Sequence, residues 1–261
     1  MVCPRRSSLR LALASCLVGM ALPACASRQP AAVPVVLGLN IHLDQSSRPD
    51  TIVYQRSITR AGQDSSAGTR TVVRRAINAP RSTRLLEVEQ RFPGGGGEIV
   101  DTAIAELATL RAVAHQSHQP TRTMRFIFQG DDAVGTVAWH GPAGDSIVQV
   151  RQPLGGPIFD SNVIDLVVAA LPLREGFTAA LPFFIYERGG RVSMPIAVRE
   201  RSTVAFPRLG QREVWVVTVG VPEAPATVWV DTQTHAVLRI RYDLSARPLS
   251  FTDERVTPLH R

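Results

Sequence analysis

The sequence predicts a mainly β protein: one strongly curved antiparallel sheet with a single helix packed in its concave face. From Thr51 onward, short runs of β-branched and aromatic residues alternate with turn residues, which is typical of a strand meander. One central segment, 159–171, has apolar residues at helical spacing instead. Because this helix is apolar nearly all round, it needs cover on more than one side, and a curved sheet supplies that cover.

The first 26 residues have the layout of a secretory signal. Arg5, Arg6 and Arg10 precede an apolar run over 11–24, and small residues follow. The run is shorter than the roughly 20 residues that a membrane-spanning helix needs. We therefore expect an exported protein, located in the periplasm or anchored at the outer membrane, whose mature fold excludes residues 1–26.

The cleavage site has two interpretations, which give different anchors. Ala24-Cys25-Ala26 has the small-x-small form of an ordinary signal-peptidase site, and cleavage there leaves a soluble protein that starts at Ser27. The stretch LPAC at 22–25 resembles a bacterial lipoprotein box, in which Cys25 becomes the lipidated first residue. In that case the protein contacts the membrane through a lipid anchor.

Cysteine usage removes several kinds of chemistry from the mature chain. The three cysteines, Cys3, Cys16 and Cys25, all lie in the leader region. We therefore expect no disulfide, no cysteine nucleophile and no cysteine-ligated zinc. An exported domain of this kind must be stabilised by its own core, which a body of about 210 residues can supply.

The positive charge comes from arginine alone. All 29 basic residues are arginine, and the formal net charge is +7, with three of the arginines in the leader. They are spread singly between apolar residues, as in 237–241, which favours the solvated face of a sheet over a nucleic-acid-binding patch. No nucleic-acid partner is expected, whereas contact with an anionic membrane surface stays open.

The chain divides into the leader, a Pro-, Ala- and Ser-containing tether over 27–50 and a single β-rich domain over 51–256. Two segments of that domain alternate clearly, with an apolar face opposite a polar one. Met124, Phe126 and Phe128 share the apolar face of 123–129, and Leu238, Ile240 and Tyr242 share that of 238–244. Residues 213–219 are apolar on both faces, which predicts a central strand.

Glycine and aspartate punctuate these runs and predict hairpin turns. The tetrad Gly94 to Gly97 invites comparison with a phosphate loop, but no Gly-Lys-Ser/Thr follows it and no helix is predicted to begin there. We interpret the tetrad as the tip of a hairpin.

The central helix has recognisable start and stop signals. Asp160 or Ser161 can cap its N-terminus, and Pro172 ends it. The apolar positions between them recur at helical spacing and comprise Val163, Ile164, Val167, Val168 and Leu171. Two interpretations follow: a plug that completes the core, or a lid over a lipophilic cavity between sheet and helix.

Several short stretches resemble bacterial envelope proteins of the outer-membrane lipoprotein-sorting (LolA/LolB-like) type and their relatives. These stretches are FDSNVIDL at 159–166, LPLREG at 171–176, TVWVD at 227–231, VLR at 237–239 and ELATLRAV at 106–113. The resemblance covers about residues 100–245 of this sequence. It implies an unclosed barrel, or half-barrel, with the helix in its concavity, binding acyl chains or another lipophilic ligand without catalysis.

If such a cavity exists, the inward strand faces and the helix are its expected lining. The candidate ligand-binding residues are Met124, Phe126, Phe128, Ile164, Val167, Val168, Leu171, Leu238, Ile240 and Tyr242.

The sequence offers no positive sign of catalysis, a metal site or a cofactor. The motifs Gly-x-Ser-x-Gly and His-Glu-x-x-His do not occur. His115 and His118 lie just before Pro120 with no acidic neighbour, so we expect them to be solvent-exposed loop residues. No enzyme activity is therefore predicted.

Three hypotheses remain. The leading one is an exported envelope protein that binds a lipid or another hydrophobic small molecule. The second is a structural or assembly module that docks another envelope protein. The third, least favoured, is an exported hydrolase, which would need His115, His118 or His140 to meet a carboxylate or hydroxyl in a pocket.

Overall fold

The fold was analysed in a computed structural model. The structure describes residues 50–78, 84–142, 144–188, 190–221, 224–244 and 248–259. The leader with its cleavage site, Cys25 and all but the last residue of the tether lie outside these ranges. Within them, no helix is long and apolar enough to cross a membrane.

The described residues form fifteen strands and one short α-helix. In chain order the strands are β1 Asp50–Arg60, β2 Gln63–Asn78, β3 Arg84–Gly94, β4 Gly97–Glu106, β5 Ala112–Gln119, β6 Arg122–Gln129, β7 Asp132–Gly141, β8 Gly144–Pro153, β9 Phe159–Asp160, β10 Thr178–Ile185, β11 Gly190–Phe206, β12 Gly210–Val219, β13 Ala226–Asp231, β14 Val237–Leu244 and β15 Leu249–Arg255. The helix α1, Ile164–Ala170, follows a 3-10 turn at Ser161–Val163.

All fifteen strands belong to one sheet, in the order β8-β7-β6-β5-β4-β3-β2-β1-β15-β14-β13-β12-β11-β10-β9. It consists of two antiparallel meanders joined where β1 pairs with β15. The sheet is not closed, since β8 and β9 stand at its two ends. The predicted fold class, a single curved antiparallel sheet with one helix, is confirmed.

The curvature shows in a contact between strands that are distant in the sheet. Asp160 on β9 lies 2.9 Å from His115 on β5, although ten strands separate β9 from β5 in the sheet order. They can meet only if the sheet bends around α1. Register shifts in the β4–β5, β11–β12 and β13–β14 pairs contribute, because a bulge bends and twists its strand.

The helix ends where its sequence signal predicted, but it begins later than predicted, because a 3-10 turn at Ser161–Val163 precedes it and its N-cap, Val163, makes no side-chain capping hydrogen bond. The carboxylate of Asp160 accepts a hydrogen bond from the backbone N–H of Asn162 at 2.8 Å and so caps the 3-10 turn. Leu171 is already extended, ahead of Pro172. Every residue from Asp165 to Ala170 is buried. One feature was not predicted: Phe159 and Asp160 pair in parallel with β10.

Strand β12 is covered on both faces, as its two-sided apolar sequence predicted. Val217 and Val219 join the helix cluster, whereas Val214 lies in a separate cluster with Phe206 and Leu238. Because alternate residues of a strand point to opposite faces, the second cluster must lie on the outer side of the sheet.

Candidate functional site

The structure distributes the predicted ligand-binding residues over three clusters. Val167, Val168, Leu171 and Ile240 lie in the helix cluster, and Ile164 and Tyr242 pack at its margin. Met124, Phe126 and Phe128 belong to a second cluster, against Phe184. Leu238 lies in the outer cluster. The ten residues therefore do not surround one space.

Leu238 is separated from Ile240 by a register shift. Trp229 pairs with Arg239, but the next residue, Val230, pairs with Val237. The extra residue in β14 reverses the alternation, so that Val237 and Ile240 face the helix while Leu238 faces outward. A strict two-residue period, assumed from the sequence, cannot reveal such a bulge.

The helix residues are packed rather than arranged around a cavity. Four cavities bounded by described residues have no residue of α1 in their lining. Met124 lines one of about 110 Å³ and Phe128 another of about 450 Å³. Within the described residues, these helix contacts favour the plug interpretation over the lid.

A buried ion pair and a hydrogen bond connect the helix region to the sheet. Arg74 on β2 contacts Asp165 of α1 at 3.2 Å, and the carboxylate is fully buried. Gln90 on β3 donates to the backbone carbonyl of Asn162. Next to them, burial first and then the charge of Asp165 raise the pKa of Tyr54 to about 12. Such buried charges favour one docking position because an unpaired charge there is costly.

The same network continues to β15. Asp253 is fully buried and accepts two hydrogen bonds from Arg56, at 2.7 and 2.8 Å, and one from Arg70 at 3.4 Å. Arg70 also donates to Gln90 at 3.2 Å. No local sequence pattern indicates this network, because Arg56 and Asp253 are 197 residues apart.

His115 is buried, and the expectation that it is an exposed loop residue is wrong. It lies on β5 with 8% of its surface exposed. Its Nδ1 atom is 2.9 Å from a carboxylate oxygen of Asp160, and its ring is 6.3 Å from that of Phe126 and 6.1 Å from that of Phe184. Burial lowers the pKa of His115, but the charge and hydrogen bond of Asp160 outweigh it, so that the pKa is raised overall.

The other two histidines named by the hydrolase hypothesis lie nearer the surface. His118 is exposed, as expected, but it lies on strand β5 and not in a loop. His140 contacts Asp145 at 2.9 Å, and both side chains are substantially exposed. The hydroxyl of Thr123 lies between the two histidines, 3.3 Å from His118 and 3.0 Å from His140.

A small polar cavity of about 110 Å³ adjoins His115. Burial raises the pKa of Asp101, against the lowering effects of the Ser117 hydroxyl and of His115. One carboxylate oxygen of Asp101 and the amide nitrogen of Asn162 have no hydrogen-bond partner among the described residues. A few atoms of a polar ligand, or water, would satisfy these groups.

This cavity does not assemble a complete catalytic or metal site from described side chains. A His–Asp pair can orient an imidazole as a general base, but the hydroxyl of Ser117, on the same face of β5, is hydrogen-bonded to the Asp101 carboxylate and accepts a hydrogen bond from Gln119 at 3.0 Å. No group of three metal-ligating side chains occurs among the residues that the structure places.

A different kind of site lies at one end of the sheet. Among the described residues, the exposed large hydrophobic side chains all lie on three adjacent strands, β6, β7 and β8, and are between 38% and 68% exposed: Ile127, Val134, Trp139, Ile147 and Val148. We call these five residues the β6–β8 apolar surface. The pairing register puts Trp139 and Val148 on the inner face and the other three on the outer face.

Strand β8 is also the free end of the sheet. Its one neighbour is β7, with which it pairs in unbroken register from Gly144 to Pro153. Residues 144–149 are all exposed. At the far end of the strand, the inward side chain of Gln152 lies against Gly190 of β11. The N-terminal two thirds of β8 therefore present an open edge.

Comparison with protein families gives a match over residues 53–247, which is three quarters of the chain. The chain belongs to the DUF3108 family. The family is described as proteins of unknown function. The DUF3108 segment runs from β1 through β14 and includes α1, His115 and the whole β6–β8 apolar surface. Asp253 on β15 lies beyond it.

Other comparisons add little to the family assignment. The chain resembles the crystal structure of a candidate exported protein with a YmcC-like fold from Bacteroides fragilis, at 10% identity and a TM-score of 0.29, over 79% of this chain and 93% of that one. A TM-score at this level supports no argument about fold or function. No curated protein matches. These matches give no link between this DUF3108 chain and the lipoprotein-sorting proteins.

Proposed function

We propose that this protein is an exported, non-catalytic docking module that binds an extended segment of another polypeptide along β8. The observation that supports the proposal best is the position of the β6–β8 apolar surface: the exposed large hydrophobic residues flank the free edge strand instead of being scattered. Clustered exposed apolar residues are typical of interaction sites. Export is supported by the signal-like pattern of residues 1–26.

The free edge of β8 lacks the usual protection against pairing. Native proteins block exposed edge strands with proline, lysine, bulges or inward-pointing charge. Between Gly144 and Gln149, β8 has no proline and no bulge, and its one charged residue, Asp145, points outward. Proline appears only at Pro153, the last residue of the strand. An added strand would gain backbone hydrogen bonds here, with Ile147 and Val148 selecting apolar side chains on either face.

The hydrophobic-ligand hypothesis is less favoured. It required the helix to cover a lipophilic space, but the residues of α1 are buried against the surrounding strands. Of the predicted lining, only Met124 and Phe128 border a described cavity, and they border different ones. An acyl chain would have to displace core side chains. The docking hypothesis needs no such rearrangement, since its surface is already exposed.

Catalysis is also less favoured than docking. The His115–Asp160 pair meets one requirement of the hydrolase hypothesis, because a histidine does meet a carboxylate beside a cavity. Hydrolysis also needs a nucleophile or a bound water in line with a substrate, and the described side chains around the His115–Asp160 pair do not support one.

A photo-crosslinking experiment tests the docking proposal. A photoreactive amino acid replaces Ile147 in the exported chain, and adducts are compared between the otherwise unchanged protein, Gln149→Pro and Gln149→Thr. We expect a polypeptide adduct that is lost in Gln149→Pro, because proline removes an edge N–H, and kept in Gln149→Thr. Absence of an adduct, or an adduct that Gln149→Pro leaves unchanged, overturns the proposal.

A further inference from the structure

We propose that the strand docked on β8 is β8 of a second copy of this chain, paired antiparallel about a two-fold axis at Val148. The inference rests on the proposed function and names the partner of the same edge. Two properties of β8 support it: the direction of its free backbone groups permits antiparallel self-pairing, and the arrangement of its charges sets the centre of that pairing.

The backbone groups of β8 point alternately toward β7 and toward the free edge. Gly141 and Gly144 close a two-residue hairpin, and such a closing pair is hydrogen-bonded. Counting by twos, Ser146, Val148 and Val150 also bond to β7. The N–H and C=O groups of the odd-numbered residues 145, 147, 149 and 151 therefore face outward.

Self-pairing about Val148 uses these outward groups. In that register residue 145 lies opposite 151 of the second copy, and 147 lies opposite 149. Every residue with free backbone groups meets another such residue, and about eight new hydrogen bonds can form. Val148 lies opposite Val148 of the second copy, at a non-hydrogen-bonded position. A two-fold axis at Ile147 or Gln149 would also place odd-numbered residues opposite odd-numbered residues, and Val148 opposite another even-numbered residue. The direction of the backbone groups therefore does not choose among these three centres.

The charges of β8 select the centre at Val148. Asp145 and Arg151 are three residues away on either side of it, so each carboxylate of one copy lies opposite the guanidinium of the other, twice in the dimer. Both side chains point to the outer face. Both are exposed, at 61% and 74%, in their present contacts with His140 and Asp132, so they can turn toward the partner at little cost. A centre at Ile147 or Gln149 separates these charges by two positions.

The same register sets the side-chain neighbours on each face. On the outer face Ile147 lies opposite Gln149 of the second copy. On the inner face the two Val148 side chains meet, and Val150 lies opposite Ser146. Isologous pairing of this kind closes after two copies and leaves no new free edge. Because seven paired residues a side form a small interface, we expect a reversible dimer.

Single cysteines test the register directly. Across a non-hydrogen-bonded pair the Cα atoms are about 4.5 Å apart, within disulfide range. Val148→Cys should therefore form a disulfide-linked dimer under mild oxidation. Ser146→Cys and Val150→Cys should each stay monomeric alone, because like positions lie about 14 Å apart, but should crosslink when the two variants are mixed. The parent chain, with cysteines only at 3, 16 and 25, gives the background.

The outcomes separate this inference from the function on which it rests. Self-pairing is supported if Val148→Cys crosslinks and if the mixture of Ser146→Cys and Val150→Cys crosslinks. Both crosslinks should be lost when Gln149→Pro is added and kept when Gln149→Thr is added. Equal crosslinking of Ser146→Cys alone overturns the register. If no pair crosslinks but the Ile147 photo-adduct still contains a different polypeptide and still depends on Gln149, self-pairing is wrong and docking stands. If neither assay detects association through β8, both proposals are wrong.

Discussion

If α1 is a plug, shortening one of its buried side chains must reduce the stability of the whole domain. Leu166 is fully buried in the helix cluster. Leu166→Ala removes three carbon atoms, which at about 0.8 kcal/mol each amounts to about 2.4 kcal/mol of lost burial. The unfilled space adds to this loss, and core Leu→Ala substitutions fall at about 3 to 5 kcal/mol. We expect a decrease of about 3.5 kcal/mol in the free energy of unfolding.

Denaturant unfolding followed by tryptophan fluorescence measures this change, with the slope of the transition checked for constancy. Ile147→Ala is the control, because the side chain is 68% exposed and its loss should change stability by less than about 0.5 kcal/mol. A helix that only covers a ligand cavity could settle into the space. A decrease below about 1 kcal/mol for Leu166→Ala, similar to the control, would refute the plug interpretation.

Three further predictions use other parts of the sheet. Asp253→Asn should reduce the free energy of unfolding by about 3 to 5 kcal/mol, because it leaves two largely buried arginines without their carboxylate. Asp243→Asn, at a more exposed ion pair, should reduce it by less than about 1 kcal/mol. Equal effects of the two substitutions in denaturant unfolding would contradict this prediction. His115 has a raised pKa in the folded protein. Its stabilising contribution is therefore full below the unfolded pKa of about 6.5 and is lost as the pH rises through the folded pKa. The free energy of unfolding, measured against pH, should show that fall in the parent protein and not in His115→Gln. Gly135→Ala would place its Cβ 1.8 Å from a backbone oxygen of the adjacent strand and should reduce the stability of the domain by about 3 kcal/mol or more. Gly95→Ala, whose Cβ meets no atom within 4 Å, should leave the stability nearly unchanged. Thermal unfolding of both variants measures the difference.

Local patterns in the sequence predicted the features that depend on local physics. Alternation predicted the amphipathic strand observed at 122–129, and a two-sided apolar run predicted that β12 is covered on both faces. A capping aspartate predicted the start of the 3-10 turn that precedes α1, and a proline predicted the end of α1. Each of these signals acts within a few residues, through side-chain direction or backbone hydrogen bonding. They were sufficient for a curved sheet with one helix.

Long-range pairing could not be predicted in the same way. Asp160 was recognised as a helix cap, but its second role as the partner of His115 depends on β9 lying beside β5 in space, 45 residues away in sequence. The polar sequence around His115 resembles that of an exposed turn. The bulge that turns Leu238 outward likewise depends on how β13 and β14 pair. No periodicity of a single strand contains this information.

The two ends of the sheet differ in a way that supports docking at β8. At one end, β9 is only two residues long, and both Phe159 and Asp160 are fully buried, so the chain covers this end with its own turn into α1. At the other end, β8 is ten residues long and exposed over most of its length. Among the described residues, the chain covers the β9 end of the sheet in this way and not the β8 end. Since an uncovered, bulge-free edge with apolar neighbours promotes unwanted association, an edge left open in this way is better explained by a specific strand partner than by an incomplete barrel.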